Sequence, residues 1–172
     1  MGSVQDPRSL LSNTSSVIAA LRRVGGRAAY VRVAFWPLEV RAFPEHSAMG
    51  ARVRAAGPNM HVDSSATAID DSIAPHVGDI VVRKTRVGAF STTSLDLQLR
   101  KANVDTLVLA GVHTSGVILS TVREAHDLDY RVIVLSDCCA DPDVEVHDFL
   151  LGRIFPKQAT VCTAVELSRV LL

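Results

Sequence analysis

The sequence predicts an α/β fold built around a parallel β-sheet. In its second half, short apolar runs that suit buried strands alternate with longer segments that suit helices. This alternation is typical of strands joined by right-handed helical crossovers. The chain has 172 residues, of which 48% are hydrophobic, enough to form one core. It contains no internal repeat and no linker, so we expect one domain over residues 1–172.

The first elements follow from apolar spacing and turn residues. Residues 9–24 place apolar side chains at helical intervals and stop at Gly25 and Gly26, which predicts a helix. Residues 28–33 are rich in β-formers and predict a strand. Residues 34–75 include Pro37, Pro44 and Pro58, end at Pro75 and show no strong period. A loop this long is usually functional or holds short helices.

The remaining elements alternate regularly. Strands are predicted at residues 80–82, 106–110, 131–136 and 159–162, and helices at residues 93–102, 115–128, 143–155 and 164–171. The neighbouring strands are therefore expected to be parallel, with their carboxyl ends at one edge of the sheet.

The strand at residues 106–110 runs through Gly-Val-His-Thr-Ser-Gly directly into a helix. Gly111 allows a backbone geometry closed to other residues, and Thr114 or Ser115 can cap the helix. The first helical turn then offers unpaired N–H groups from residues 113–117 to a negative charge. Either this turn is an anion or oxyanion site, or it is the ordinary turn of any strand-helix unit.

Composition argues against several partners. Eighteen basic residues balance eighteen acidic ones, and no basic run or basic patch with aromatic residues is present, which argues against binding to nucleic acid or to an anionic membrane. No apolar stretch approaches the roughly 20 residues of a membrane span, and residues 1–7 lack a signal-peptide pattern. We expect a cytoplasmic protein with a small-molecule partner.

The three cysteines have no metal-type spacing. Their number is odd, and adjacent cysteines rarely pair with each other. We expect reduced thiols, with Cys162 in a buried strand and with Cys138 and Cys139 after a strand.

Three segments together resemble the isochorismatase-like, or cysteine hydrolase, superfamily. They are VVRKTRVGAFSTTSLDLQLR (residues 81–100), LVLAGVHTSGVILSTVREA (residues 107–125) and VIVLSDCCADPDVEVH (residues 132–147). The resemblance extends from the first helix nearly to the C-terminus. It implies a three-layer α/β/α, Rossmann-like sandwich with a mostly parallel sheet, hydrolysis of amides, nicotinamide-like rings or vinyl ethers, and a homo-oligomer, either dimer or tetramer. No cofactor is expected.

Family members use an aspartate from the first strand, a lysine and commonly a cysteine. The lysine corresponds to Lys84, which the resemblance places beside the substrate. The cysteine position is occupied by Val117, which excludes a thiolate nucleophile there. Isochorismatases without the cysteine protonate a vinyl ether with the aspartate. Asp6 is the candidate for that acid, with an exposed terminal carboxylate as the alternative.

The resemblance also indicates residues that contact the substrate. His113 occupies the variable place in Gly-Val-x-Thr, where the family often has a cis peptide after the valine and uses the next N–H in an oxyanion hole. Thr114 and Gly116 complete this turn. Phe90 belongs to the Ala-Phe motif that follows the lysine.

Other polar residues are expected to be structural. A zinc site of the nicotinamidase type needs an Asp-x-His with a second histidine nearby, and the three candidates His46, His61 and His76 are too scattered, so no metal is expected. The three acids near the end of a strand, Asp137, Asp141 and Asp143, are expected to act as turn and cap residues.

One strand of the family pattern has no counterpart in the sequence. In a sheet of order 3-2-1-4-5-6 the first strand is central, yet no apolar run precedes the helix at residues 9–24. We therefore expect the strand at residues 28–33 to pair directly with the strand at residues 106–110, or the gap to be filled by residues 1–7 or by another subunit.

Three functional hypotheses follow. The first is a hydrolase of this family that acts by acid or by water around Lys84 and residues 113–117. The second is a non-catalytic protein that binds a small molecule or acts as an oligomeric partner. The third is a shortened form of an active hydrolase, which an in-frame apolar strand ending in Asp-x-Gln upstream of Met1 would support.

Overall fold

The computed structural model describes residues 6–171 and has the α/β architecture expected from the sequence. Within that range the strands are β1 (Ala29–Val33), β2 (Ile80–Lys84), β3 (Thr106–Val112), β4 (Arg131–Ala140) and β5 (Thr160–Cys162). They form two parallel sheets, of order β1-β2 and β3-β4-β5. The predicted α/β class with parallel strands is confirmed.

The helices pack on both faces of these sheets. They are α1 (Pro7–Arg23), α2 (Pro37–Arg41), α3 (Ala48–Ala56), α4 (Leu95–Lys101), α5 (Leu119–Asp127), α6 (Val144–Phe149) and α7 (Ala164–Val170). The long segment before β2 holds α2, α3 and three short 3₁₀ turns, as expected for a loop of that length. Two predicted helices differ in detail: α5 is preceded by a π-helical turn, Thr114–Ile118, and α6 is followed by another, Leu150–Ile154.

Strand β4 is longer than the sequence predicts and contains Cys138 and Cys139. The expectation that these cysteines follow a strand is therefore wrong. The reason is a register shift between Leu109 and Gly111, after which the β3-β4 ladder resumes with Gly111 opposite Cys139. Between these pairs β3 advances two residues and β4 advances five, an irregularity that does not end the pairing and that an apolar pattern alone does not reveal.

Two hydrophobic clusters cover opposite faces of the sheets. The larger one includes Ile80 and Val82 of β2, Val134 of β4 and Val122 of α5, so one helical layer covers both sheets. The second cluster contains Val17 of α1 with residues of β4 and α7. This gives the three layers that the family resemblance implied.

Strands β1 and β3 do not pair with each other, so the expectation of direct pairing is wrong. The helical layer that contains α5 packs on both sheets and connects them. Pro7 begins α1 and so does not fill the gap. Residues 1–5 lie outside the described part of the chain, and completion by another subunit stays a prediction. In residues 6–171, no helix combines the length and the apolar character that crossing a membrane requires.

Candidate functional site

The turn between β3 and α5 has an unusual backbone. Gly111 has φ +136°, the Val112–His113 peptide is cis, and a π-helical turn follows at Thr114–Ile118. The cis peptide lies where the resemblance placed one. π-helical turns are rare and are found frequently at functional sites.

The turn is not capped in the way the sequence suggested. The capping position is His113, whose side chain makes no capping hydrogen bond. Thr114 is completely buried and its Oγ1 lies 2.8 Å from Nδ1 of the buried His147. The expectation that Thr114 or Ser115 caps the helix is wrong, because the Thr114 hydroxyl bonds to α6 instead.

Backbone hydrogen bonds decide which N–H groups the turn can offer. The N–H groups of Gly116 and Ile118 donate to the His113 carbonyl, at 3.1 and 3.3 Å. Among the described residues, none accepts a hydrogen bond from the N–H groups of His113 or Thr114. Two neighbouring donors at the start of the turn therefore stay open, as in an oxyanion site.

The turn already has one anionic neighbour. Ser115 N–H donates to Oδ2 of Asp141 at 2.7 Å, and Asp143 N–H donates to Oδ1 at 3.2 Å. Burial would raise the pKa of Asp141, but hydrogen bonds from Ser115 and Asp143 and the nearby His113 hold it below its usual value. Asp141 is therefore an ionised acceptor that fixes the turn, which fits the turn role expected from the sequence.

Lys84 ends β2 as a buried cation. It is 7% exposed, and its ammonium donates to the Val87 carbonyl. Burial lowers its pKa, and the charge of Glu124 on α5 opposes that shift. Within the described residues, no carboxylate oxygen lies within 4.0 Å of the ammonium. A buried ammonium without a direct ion pair attracts an anion.

The loop after Lys84 packs closely on Glu124. Any side chain at Gly88 would overlap the Glu124 carboxylate, and the Phe90 N–H lies 3.5 Å from its Oε2. The Phe90 ring is 8% exposed and stacks on Tyr130, with centroids 6.0 Å apart. Phe90 is thus part of the core in this structure, and its contact with a substrate stays a prediction.

The remaining turn residues differ in accessibility. His113 is exposed, and Gly116 is half-buried with no atom within 4 Å of the place where a Cβ would stand. Val117 is half-buried and packs against the larger cluster. The side chain at the position of the family's cysteine therefore contacts the core.

None of the cysteines can replace the missing nucleophile. Burial raises the pKa of Cys138 to about 11 and that of Cys139 to about 12, and it also raises the pKa of Cys162. All three are free thiols, as expected. Since the thiolate is the nucleophilic form, burial and a raised pKa make Cys138 and Cys139 poor nucleophiles at neutral pH.

The acids near the strand ends have structural partners. Asp137 accepts hydrogen bonds from Nδ2 of Asn13, at 3.2 Å, and from the N–H of Ala164, at 2.8 Å. Asp143 caps α6 by accepting from Val146 N–H. Asp6 is exposed and caps α1, accepting from Arg8 N–H at 3.2 Å. These contacts agree with the turn and cap roles expected for Asp137 and Asp143. For Asp6 they agree with the alternative, an exposed terminal carboxylate.

The scattered histidines have other neighbours. His61 packs edge-on against Trp36, and Nε2 of His76 lies 3.3 Å from Nη1 of Arg22. Across residues 6–171, no group of three or more histidine, cysteine or acidic side chains is arranged to hold a metal ion.

Sequence reasoning missed two polar residues of this region, Glu124 and His147. Glu124 lies on α5 and His147 on α6. The only indication in the sequence was that each residue lies in a segment that resembles the family, Glu124 in residues 107–125 and His147 in residues 132–147. The segments do not show which partner either side chain contacts.

A model of the isochorismatase domain matches residues 3–166. The chain belongs to the isochorismatase family. A solved isochorismatase family protein from Burkholderia thailandensis superposes with a TM-score of 0.81 at 28% identity, covering 97% of this chain and 85% of that one. The predicted family is confirmed.

Two curated relatives show how far the similarity extends along the chain. Maleamate amidohydrolase of Pseudomonas putida is 31% identical over 86% of this chain and 72% of its own length. The uncharacterized isochorismatase family protein YecD of Escherichia coli O157:H7 is 36% identical over 52% of this chain, and that alignment spans 47% of its own length. The chain thus matches only about half the length of the second relative.

Proposed function

We propose that this protein is an isochorismatase-family hydrolase for a small molecule with an amide or vinyl ether bond, in which water and not a thiolate attacks. The observation that carries this proposal is the pair of open N–H groups of His113 and Thr114 at the carboxyl end of β3. The similarity to maleamate amidohydrolase supports an amide as the first substrate class to test.

The open N–H groups suit the charge that develops during hydrolysis. When water adds to an amide carbonyl, the carbonyl oxygen becomes negative, and fixed backbone donors stabilise it more than the neutral substrate. Because the Asp141 carboxylate already accepts from Ser115, it opposes any further anion at this turn. A neutral carbonyl is therefore a better ligand in the ground state than a carboxylate.

The proposed proton-transfer group is His113. Its side chain is exposed at the start of the turn, and its charge interacts with Asp141. Histidine is the side chain used most often to move protons in catalysis. In this role it takes a proton from the attacking water and returns one to the leaving nitrogen. Lys84 then contributes positive charge from β2.

The test is a screen of small amides and vinyl ethers with the wild-type protein, His113→Ala, Lys84→Ala and the surface control Lys101→Ala. We expect turnover by the wild type and by Lys101→Ala, a loss of about 10²–10⁴-fold for His113→Ala, and a smaller loss for Lys84→Ala. Prior alkylation with iodoacetamide should leave the rate unchanged. Equal rates for Lys84→Ala and the wild type would remove Lys84 from the reaction.

A second candidate is a non-catalytic protein that binds a small molecule through the same turn. The observation that favours it is the Lys84 ammonium, which donates to the Val87 carbonyl and has no described carboxylate beside it. In this case, amides raise the melting temperature without being hydrolysed. Val117→Cys, which returns a thiol to the turn, should then form a covalent acyl adduct detectable by mass spectrometry, whereas Val112→Cys should not.

The other properties suggested by the sequence stay predictions. They are a single domain, a location in the cytoplasm and a homo-oligomer. Size-exclusion chromatography with light scattering tests the last of these directly.

A further inference from the structure

A cavity lies between α1 and residues 71–76, beside Tyr30 near the amino end of β1. Its volume of about 270 Å³ is close to the lower end of the range for ligand pockets, roughly 300 Å³. Helix α1 contributes four residues with the spacing i, i+3, i+4 and i+7, which places them on one face of the helix: Ser15, Ile18, Ala19 and Arg22.

The Tyr30 hydroxyl has no acceptor for its hydrogen. Tyr30 is 8% exposed, and among the described residues its buried hydroxyl has no hydrogen-bond partner. Burial raises the pKa of this hydroxyl and the charge of Arg22 opposes the shift, so the hydroxyl lies near Arg22, a residue of the cavity wall. Because a guanidinium only donates hydrogen bonds, Arg22 cannot accept this hydrogen. A buried donor without an acceptor lowers stability, and it points to a partner that belongs to a ligand.

The charges around the cavity do not favour an anion. Arg22 forms an ion pair with Asp79, whose Oδ2 also accepts the N–H of His76 at 2.7 Å. Nε2 of His76 lies 3.3 Å from Nη1 of Arg22, and Asp71 also lines the cavity. The charge of the arginine is therefore already balanced by a carboxylate, and a second acid lies close by. A neutral ligand meets less repulsion here than an anion does.

The cavity is separate from the site proposed for hydrolysis. Tyr30 pairs with Val81, three residues before Lys84 at the end of β2. Three residues of a strand span about 10 Å, so the cavity and Lys84 lie toward opposite ends of the two-stranded sheet. Of residues 113–118, all of which the structure describes, none lines the cavity.

We propose that this cavity binds a small neutral molecule with an apolar ring and one carbonyl oxygen, which accepts the hydrogen of the Tyr30 hydroxyl. A carbonyl oxygen has two lone pairs, so it can also accept a hydrogen bond from the Arg22 guanidinium, which has five donors. The body of the ligand is apolar because four apolar side chains line the same space: Ile18, Ala19, Ile73 and Ala74.

The test measures the binding of acetophenone to the full chain through the NMR shifts of backbone amides. Ethylbenzene is the matched ligand without the oxygen, and benzoate is the matched anion. We expect acetophenone to shift the amide signals of Ala19 and Ile73. It should bind about tenfold more tightly than ethylbenzene, the effect of one hydrogen bond to a buried donor that otherwise has no partner. Benzoate should bind more weakly than acetophenone.

Two tyrosine variants separate the effect of the hydroxyl from the shape of the cavity. Tyr30→Phe should weaken the binding of acetophenone to the level of ethylbenzene. It should also raise the melting temperature of the free protein, because it removes a buried group without a partner. Tyr130→Phe is the matched control, since the Tyr130 hydroxyl donates to Asp96 of α4 at 2.8 Å, and it should leave binding unchanged. Ala19→Phe should fill the cavity and block both acetophenone and ethylbenzene.

Four results would overturn the proposal. One is the absence of shifts at Ala19 and Ile73 up to the solubility limit of acetophenone. Another is equal binding of acetophenone to the wild type and to Tyr30→Phe, which would leave the hydroxyl without a role. The third is tighter binding of benzoate, which would make the ligand an anion. The fourth is a set of shifts confined to residues 113–118, which would place acetophenone at the turn. None of these results depends on whether the protein hydrolyses amides.

Discussion

The two sheets are built from similar apolar strands but are buried to very different extents. In β4, which is paired on both edges, Val134 is completely buried and Leu135 is 1% exposed. In β1, which is paired on one edge, only Tyr30 is buried, and Val31 and Val33 are half-buried. Of these two strands, the one that is paired on both edges is therefore the more deeply buried, although β2, paired on one edge, also buries Ile80 and Val82.

The largest expected difference between the sheets is in thiol reactivity. In a Cys162→Ser background, Cys138 and Cys139 of β4 should react slowly with Ellman's reagent at pH 8, because burial raises the pKa of Cys138 to about 11. A thiol introduced by Val31→Cys should react about a hundredfold faster, given two pKa units of difference in thiolate content. If Cys138 reacts as fast as the introduced thiol, the contrast between the sheets is wrong.

The same substitution in each sheet should have unequal effects on stability. Val134→Ala leaves a cavity in a fully buried site and should lower the free energy of unfolding by about 2 kcal/mol. Val31→Ala should cost less than half as much, since Val31 is half-buried. Urea unfolding measures both. Equal losses would mean that β1 is packed as tightly as β4.

The loop that follows the two-stranded sheet can be tested at Gly88. Gly88→Ala forces the Glu124 carboxylate away from the Phe90 N–H and should cost about 1 kcal/mol. Gly116→Ala is the matched control in the turn after β3, where nothing lies within 4 Å of the added methyl group. Thermal unfolding of the two variants compares them. A loss at Gly116 as large as that at Gly88 would contradict the described packing.

The smallest expected effect is the pH dependence that Lys84 contributes. Because burial lowers its pKa in the folded state, the unfolded chain binds more protons between the folded pKa and the ordinary value near 10.5. Stability should therefore rise with pH across that interval and stay lower below it. Lys84→Met should remove this rise, whereas Lys101→Met should keep it. Urea midpoints from pH 7 to pH 10 provide the measurement.

The regular second half of the chain was predictable from local patterns. Strands β2, β3 and β4 each contain a predicted strand, β5 lies within one, and α1 starts within two residues of its predicted position. These elements depend on apolar period and turn residues, which are local in sequence. The position of the family's cysteine could also be assigned to Val117 from the sequence, because it lies at a fixed distance from Gly111.

The rest could not be read from the sequence because it depends on contacts between distant residues. The bonding of Thr114 to His147 joins residues 33 positions apart and changes the expected cap into a buried contact. The bulge that extends β4 depends on its register with β3. Separation of β1 from β3 depends on helices that pack on both sheets. Local propensity contains none of this information.

The contacts of Asp137 have a consequence for the order of folding during synthesis. Its carboxylate binds Asn13 of α1, 124 positions earlier, and the first residue of α7. Helix α1 therefore leaves the ribosome long before its docking surface on β4 exists. At about 5–20 residues per second, that interval is roughly 6–25 s. During this time the apolar face of α1 has no partner on β4, so α1 docks only after most of the chain has been made.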